Sequence, residues 1–506
     1  VILSPLISWY FRQRLKSLDD VLHRPVAVQE RMFQNLLEAG RYTEWGRKYD
    51  FGSIRNYRQF KERFPLQDYE TLKPYIERTM QGEQGLLWPG DIYWFAKSSG
   101  TTQDKSKFIP VSFESLEECH FKGGRDALSF HCAAFPETGI FEGRALLIGG
   151  SHSVSQHNDN TYYGDLSAVL MNHMPVWASM LKTPDLSIAL MEHWEEKVEK
   201  MALATMHENV TSISGVPTWT LVLFRRLLEL TGAKHIHEIW PGLELYIHGG
   251  VSFVPYYEQF ASLLPGAGMR YLETYNASEG FFGVQDQPGI REMLLMTDYG
   301  IFYEFVPAEM GDDEDPPVFS LEDVEPGVNY AVIITTNSGL WRYRLGDTIR
   351  FTSVAPYRFT ITGRTRLFMN AFGEELMIDN ADRAVQFACN GTGAVLKEYT
   401  AAPVYMSESE PGHEWLLEFE VQPDNLMRFA ELLDQELKRC NSDYEAKRQG
   451  DLALKMPKVR NVAPGTFHEW LKRKGKLGGQ HKVPRLSNDR KFVDEILGMQ
   501  AGRGVS

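Results

Sequence analysis

Short runs of β-branched and aliphatic residues alternate along this chain with stretches that carry apolar residues at every third or fourth position. That alternation limits the possible fold more than any other feature. The β-type runs are "RALLIGG", "TSISGV", "LELYIHGG", "MRYLETY", "IFYEFVP" and "YAVIITT". Among the helical stretches, "VAVQERMFQNLLEAG" closes on a glycine, and "LSIALMEHWEEKVEKMALATM" sets Leu190, Trp194, Val198 and Met201 on one face, which reads as core. An α/β body with mixed sheets follows. From residue 366 the order changes: "EWLLEFEV" predicts a strand, "NLMRFAELLDQELKRC" an amphipathic helix and "TFHEWLKRKG" a second, short helix. The expectation is a large N-terminal domain over residues 1–365 and a small α+β C-terminal domain over 366–506, since 506 residues exceed what one hydrophobic core organises.

Charge and cysteine usage narrow the function classes. With 67 acidic against 53 basic side chains, a formal charge of −14 repels a nucleic-acid backbone, and the basic "LKRKGKLGGQHK" reads as a solvated segment. Cys119, Cys132, Cys389 and Cys440 form no CxxC pair, so neither a disulfide framework nor a zinc site is expected, and a reducing cytoplasm fits. No run reaches the roughly 18 to 20 apolar residues of a membrane span, and "VILSPLISWYFRQRL" reads as an amphipathic first helix. The histidines offer no H-x-x-x-H pair with a supporting acid, and there is no G-x-S-x-G elbow, so metalloprotease and serine hydrolase chemistry are not expected.

Chemistry gathers first in "FAKSSGTTQDKSKFIPVS", residues 95–112. Small hydroxylated residues around a glycine let backbone N–H groups and hydroxyls converge on an anion. Gly100, Lys105 and Ser106 suggest a Walker A loop, but its second glycine is missing, so the usual phosphate nest cannot close. Four further stretches follow: "LELYIHGGVSF" with Gly249 and Gly250, "ETYNASEGFFG" with Glu279, "LWRYRLGDTIRF" with Asp347 on a glycine turn between two strands, and "RFTITGRTRLFMNAFGEEL". In the third, Arg342 and Arg344 alternate with Tyr343 as on an exposed strand face.

In this order the five stretches resemble the acyl-adenylate-forming superfamily of acyl-CoA synthetases, luciferases and peptide-synthetase adenylation domains. "SSGTTQDKSKFIP", "YNASEG", "YRLGD" and "GGQHKVPR" are most similar to the plant auxin-responsive acyl acid amido synthetases and their bacterial relatives. The resemblance spans residues 98–485. It implies an ATP-dependent ligase that joins a carboxylic acid to AMP, releasing pyrophosphate, and then passes the acyl group to an amine, typically of an amino acid. A small, mobile C-terminal domain that rotates between the two half-reactions is implied with it.

The same resemblance distributes roles. Ser98, Ser99, Gly100, Thr101 and Thr102 would hold the β- and γ-phosphates, and Lys105 or Lys107 would neutralise the departing pyrophosphate. Glu279, in the run Asn276, Ala277, Ser278, Glu279, would help hold Mg²⁺. Tyr275 would stack near the adenine with Gly249 and Gly250 as the other wall, while Asp347 would accept from the ribose hydroxyls and Arg364 would reach the nucleotide. Lys482 would meet the α-phosphate, with Gly478 and Gly479 letting it move. Val216, Thr218 and Trp219 are the acyl-pocket candidates, with ordinary packing as the alternative. The chain departs from the superfamily at Gln103, where glycine is usual, in the lysine spacing of the loop, and at Arg366, near the pivot, where Asp or Lys is usual. Two rival readings share these motifs: an acid–thiol ligase using coenzyme A, and a nucleotide-binding protein whose catalysis has decayed.

Overall fold

A computed structural model describes residues 3–99, 106–149, 154–191, 193–266, 268–365, 368–405, 410–474 and 483–501. Its centre is an eleven-stranded sheet with two halves of different character. Lys182–Thr183, Arg144–Leu147, Val210–Ser214, Leu245–His248 and Arg270–Ala277 run parallel to one another. From Arg270–Ala277 onward every pairing is antiparallel, through Gly280–Val284, Met293–Leu295, Tyr357–Arg364, Tyr343–Val354, Asn329–Thr336 and Ile301–Pro307. Arg270–Ala277 is therefore the seam of the sheet. A smaller sheet carries Ser106–Val111, Trp94–Ser99, Tyr162–Gly164 and Ser155–Gln156 in that order.

The local reasons are visible in the residues. Val210–Ser214 is buried almost throughout, its threonine and first serine included, because a parallel strand is covered on both faces. The helix Pro217–Thr231 starts with proline, which needs no N–H at that position, and stops at Gly232, whose φ of +71° is left-handed. It buries Trp219, Leu223, Phe224 and Leu227 in one cluster with Trp194, Val198 and Met201. The expected long helix through Leu190 is interrupted: a turn over Leu186–Ala189 precedes a separate helix, Trp194–Thr205, so Leu190 lies outside it.

A separate C-terminal domain holds a three-stranded sheet, Val395–Val404, Gly412–Val421 and Lys458–Asn461, with helices on both faces. Ile378–Thr392 and Leu426–Cys440 bury Ala384, Ala388, Leu433 and Leu437 against Trp415 and Leu417 on one face. Thr466–Arg473 and Lys491–Ala501 bury Phe467, Trp470 and Ile496 against Leu416 on the other. Asn425 starts Leu426–Cys440 by accepting from the N–H groups of Met427 and Arg428.

One expectation is overturned in the antiparallel half. Arg342 is not on an exposed strand face but 2% exposed, at a φ of +44° just before the strand. Its guanidinium pairs with buried Glu304 at 2.9 Å and donates to Phe64 O, and Tyr57 Oη donates to Glu304 Oε1 at 2.9 Å. A guanidinium has five N–H donors, so this crowded pocket satisfies most of them and ties residues 57–64 to the sheet. Arg344, half-buried, donates to the backbone of Gly311 and Asp313. Glu304→Gln leaves the Arg342 charge buried and unpaired and is expected to cost about 3–5 kcal/mol, read as a lower urea midpoint; a loss below about 1 kcal/mol would mean that water reaches the pair.

Candidate active site

Parallel strands share one carboxyl edge, and open α/β sheets hold ligands there. At that edge Leu245–His248 gives way to Gly249 and Gly250, and Arg270–Ala277 turns through Ser278 and Glu279 into Gly280–Val284, with Ala277 paired to Gly280. The hairpin of the smaller sheet pairs Ser98 with Lys107 and Ser99 with Ser106. Gly100, Thr101, Thr102 and Lys105 lie outside the described residues, as do Arg366, Gly478, Gly479 and Lys482.

Asp347 is the hub, and its position corrects the expected turn. Residues 343–354 form one continuous strand, and the register shifts between Ala331 and Ile333 of the neighbour. Gly346, at φ +87°, supplies the left-handed residue that this bulge needs. A bulge re-aims the side chain beside it: Asp347 is paired across the sheet with Arg364, whose Nε lies 2.8 Å from Oδ1. Tyr275 Oη donates to Asp347 Oδ2. Both carboxylate oxygens keep a lone pair for a further donor. Arg364 also reaches Glu375 Oε2 at 3.8 Å.

The electrostatics bind the hairpin to this hub. Burial pushes the Lys107 ammonium below its ordinary pKa and the Glu279 carboxyl above its own; in each case the largest opposing charge is the other residue. Arg364 and Asp347 also act on Lys107, so hairpin, seam and bulge share one field. Burial works to lower Arg364, but Asp347, Glu375 and Glu279 outweigh it. Among the described residues no group of three or more His, Cys, Asp or Glu side chains gathers to hold a metal ion.

Several expected roles change when the side chains are placed. Tyr275 offers no stacking face: it is buried, with Phe282 4.8 Å and Phe359 6.1 Å from its ring centre, and its hydroxyl instead orients Asp347. Gly249 is glycine for strand packing, because a Cβ there would lie 2.4 Å from Thr274 O. Gly250, exposed at φ +80°, is the open half of the pair, and its carbonyl accepts from Asn370 Nδ2 at 2.9 Å. Asn276 turns to the other face of its strand, where His120 Nδ1 and Asn276 Oδ1 are 3.0 Å apart; burial holds His120 near pKa 4, so it is neutral and Nδ1 is the donor. Ala277 and Ser278 are half-buried in the turn.

Of the acyl-pocket candidates, Trp219 is taken up by packing: it stacks on Trp194 at 3.5 Å and 2°, and is 1% exposed. Thr218 is buried and spends its hydroxyl on Phe372 O at 3.3 Å. Val216 is half-buried and lies beside Gly250. Glu375 was missed in the sequence, although "FGEEL" carried the signal of two adjacent acids after a glycine. Glu374, fully buried, accepts from Ala371 N, Phe372 N and His413 Nε2, which shapes the loop that sends Glu375 to Arg364.

Comparison with known proteins places this geometry. Family models described as the GH3 family N-terminal, central and C-terminal domains match residues 14–269, 294–364 and 379–491. Indole-3-acetic acid-amido synthetase GH3.4 of Arabidopsis thaliana is 24% identical over 569 aligned positions, covering 95% of this chain and 92% of its own. The solved structure of AtGH3.15 acyl acid amido synthetase in complex with 2,4-DB superposes with a TM-score of 0.62 at 18% identity, over 96% of this chain and 95% of that one. 2-Hydroxyisobutyryl-CoA ligase, in its thioesterification state, gives 0.58 at 14% identity over 95% and 92%. The fold is that of adenylate-forming ligases.

Lys107→Met removes the cation that most opposes neutralisation of Glu279. The expected result is less Glu279 carboxylate at neutral pH, read as a weaker carboxylate band in infrared difference spectra of Lys107→Met against Lys107→Met/Glu279→Gln; an unchanged band would show the two charges to be independent.

Proposed function

The chain belongs to the GH3 family, and on that footing we propose that it activates a carboxylic acid with ATP as an acyl-adenylate and transfers the acyl group to an amine, that of an amino acid. It is a ligase of the acyl acid amido synthetase type. The observation that carries this reading is the contact series Tyr275–Asp347–Arg364–Glu375, set at the carboxyl edge of the parallel strands and sharing a field with Lys107 and Glu279. A nucleotide needs an acceptor for its sugar hydroxyls and a cation for its phosphates, and this edge supplies both.

In the first half-reaction an oxygen of the acid's carboxylate attacks the α-phosphorus of ATP and pyrophosphate leaves. Asp347 accepts from the ribose hydroxyls with the lone pairs that Tyr275 and Arg364 leave open. Ser98, Ser99, Gly100, Thr101 and Thr102 cradle the departing phosphates, and Lys107 or Lys105 neutralises them. Glu279 suits Mg²⁺, which is held by one or two carboxylates plus phosphate oxygens; when bound, the ion offsets phosphate charge. Lys482 meets the α-phosphate. In the second half-reaction the amine attacks the acyl carbonyl to form the C–N bond, the acyl C–O bond breaks with its electron pair leaving on AMP, and the amine's proton passes to solvent.

Several further points belong to the same proposal. The two domains divide near residues 365 and 366, supported by Arg364 closing the last strand of the large sheet and Phe368 opening the next short pairing. The substrates are small molecules. No described helix is long and apolar enough to cross a membrane. The free cysteines, Cys119, Cys132, Cys389 and Cys440, support a reducing cytoplasm.

ATP–pyrophosphate exchange against aryl, indolyl and fatty acids, followed by product masses with amino acids or coenzyme A, tests the reading. Exchange with an acid and an amide mass are expected; a thioester mass would favour the coenzyme A ligase, and no exchange with bound ATP the decayed protein. Glu279→Gln is expected to slow exchange about 10²-fold or more, and Asp347→Ala to raise the KM for ATP about 10-fold or more; wild-type values in both would remove these residues from the site.

A further inference from the structure

The helix Ser442–Lys447 belongs to the C-terminal domain but meets the large domain at both ends. At its first residue, Ser106 Oγ donates to Ser442 Oγ at 3.2 Å, one position from Lys107. At its last, Lys447 is 5% exposed, and its Nζ stands 4.9 Å from the centre of the Trp219 ring. Val216 connects this ammonium with the glycine turn. A Cβ on Gly373 would lie 3.3 Å from Lys447 Nζ and 3.8 Å from Val216 Cγ1, and a Cβ on Gly250 3.9 Å from Val216 Cγ2. Gly373, at φ +86°, has no space for a side chain, because the Lys447 stem and ammonium already occupy it.

Nothing in the adenylation step uses this lysine. Its surroundings are also unusual, because Asp443, Asp165, Glu374 and Glu375 act on it through space. Glu374 is already committed to two backbone N–H groups and His413, and Glu375 faces Arg364. Lys197 shares the influence of Asp165 and lies 4.4 Å from the ring centre of Trp194, so each of the two stacked tryptophans has an ammonium near its ring. Burial holds Lys447 to about pKa 8, so it is still charged at neutral pH. A ring face leaves an ammonium its three N–H donors.

We infer that Lys447 selects the acceptor in the second half-reaction by binding the α-carboxylate of an amino acid beside Val216, which leaves the acceptor's amine toward the glycine turn. This rests on the two-step reading above. An amino acid is a zwitterion, and one ammonium within the field of several carboxylates suits both its charges. A bare amine would leave Lys447 unpaired, and an anion without a positive end would be repelled by the surrounding acids.

The test measures kcat and KM for amide formation with an amino acid, its carboxamide and its decarboxylated amine, in the wild type, Lys447→Met and Lys447→Arg. The wild type is expected to favour the amino acid over the carboxamide, and Lys447→Met to lower that ratio about 10-fold or more through a higher KM for the amino acid. Lys447→Arg should keep the preference. Should Lys447→Met lose its melting transition, Lys447→Gln serves for the same ratio. Equal loss with all three acceptors would overturn the inference and make Lys447 a docking contact. Absence of exchange and amide in the wild type would instead remove the two-step reading, and this inference with it.

Discussion

The strand Arg270–Ala277 has a parallel neighbour on one side and an antiparallel neighbour on the other. This dual pairing is the constraint on which the remaining geometry depends. The parallel side brings the glycine turn after Leu245–His248 to the same edge as the end of the seam. The antiparallel side carries the sheet around to Tyr343–Val354 and Tyr357–Arg364, so that residues 72 positions apart, Tyr275 and Asp347, bond directly. With either kind of pairing alone, Asp347, Glu279 and the glycine turn would not share an edge.

Around that edge the chain keeps charge at a depth where an isolated ion would be neutralised. It does so by opposing each buried charge with another of opposite sign: Lys107 with Glu279, Arg364 with Asp347 and Glu375. The same device appears far from the edge, in Arg342 and Glu304, where it ties the helical N-terminal segment to the sheet. Buried pairs of this kind give little net stability but resist the removal of one partner. The two uses differ in what remains open: Arg342 is enclosed by its partners, whereas Asp347 keeps lone pairs facing the edge.

Much of this was legible in the residues. All six quoted β-type runs are strands, because four to eight apolar or β-branched residues between helical stretches leave few other solutions. The ordering of the five motif stretches also pointed to one site. The errors share a physical cause. "WRYR" has the alternation of a half-exposed strand, but Arg342 precedes the strand in a left-handed conformation and finds Glu304 from a distant strand. "LGD" looks like a turn, and only the two-residue register shift on a neighbouring strand reveals a bulge. Trp219 was a pocket candidate until Trp194, 25 positions earlier, covered its face. Local spacing reports backbone periodicity, but it does not report which distant side chain arrives to complete a contact.

The approach of Gly249 to Thr274 has a consequence for how such a protein diversifies. The gap between these two strand ends is set by main chain against main chain, with a carbonyl oxygen 2.4 Å from where a side chain would begin. The wall at the edge therefore has a position that no neighbouring side chain determines. Val216, beside Gly250, can change in volume over evolutionary time without displacing it, so the surroundings of the turn can drift while the spacing of the two strand ends stays in place.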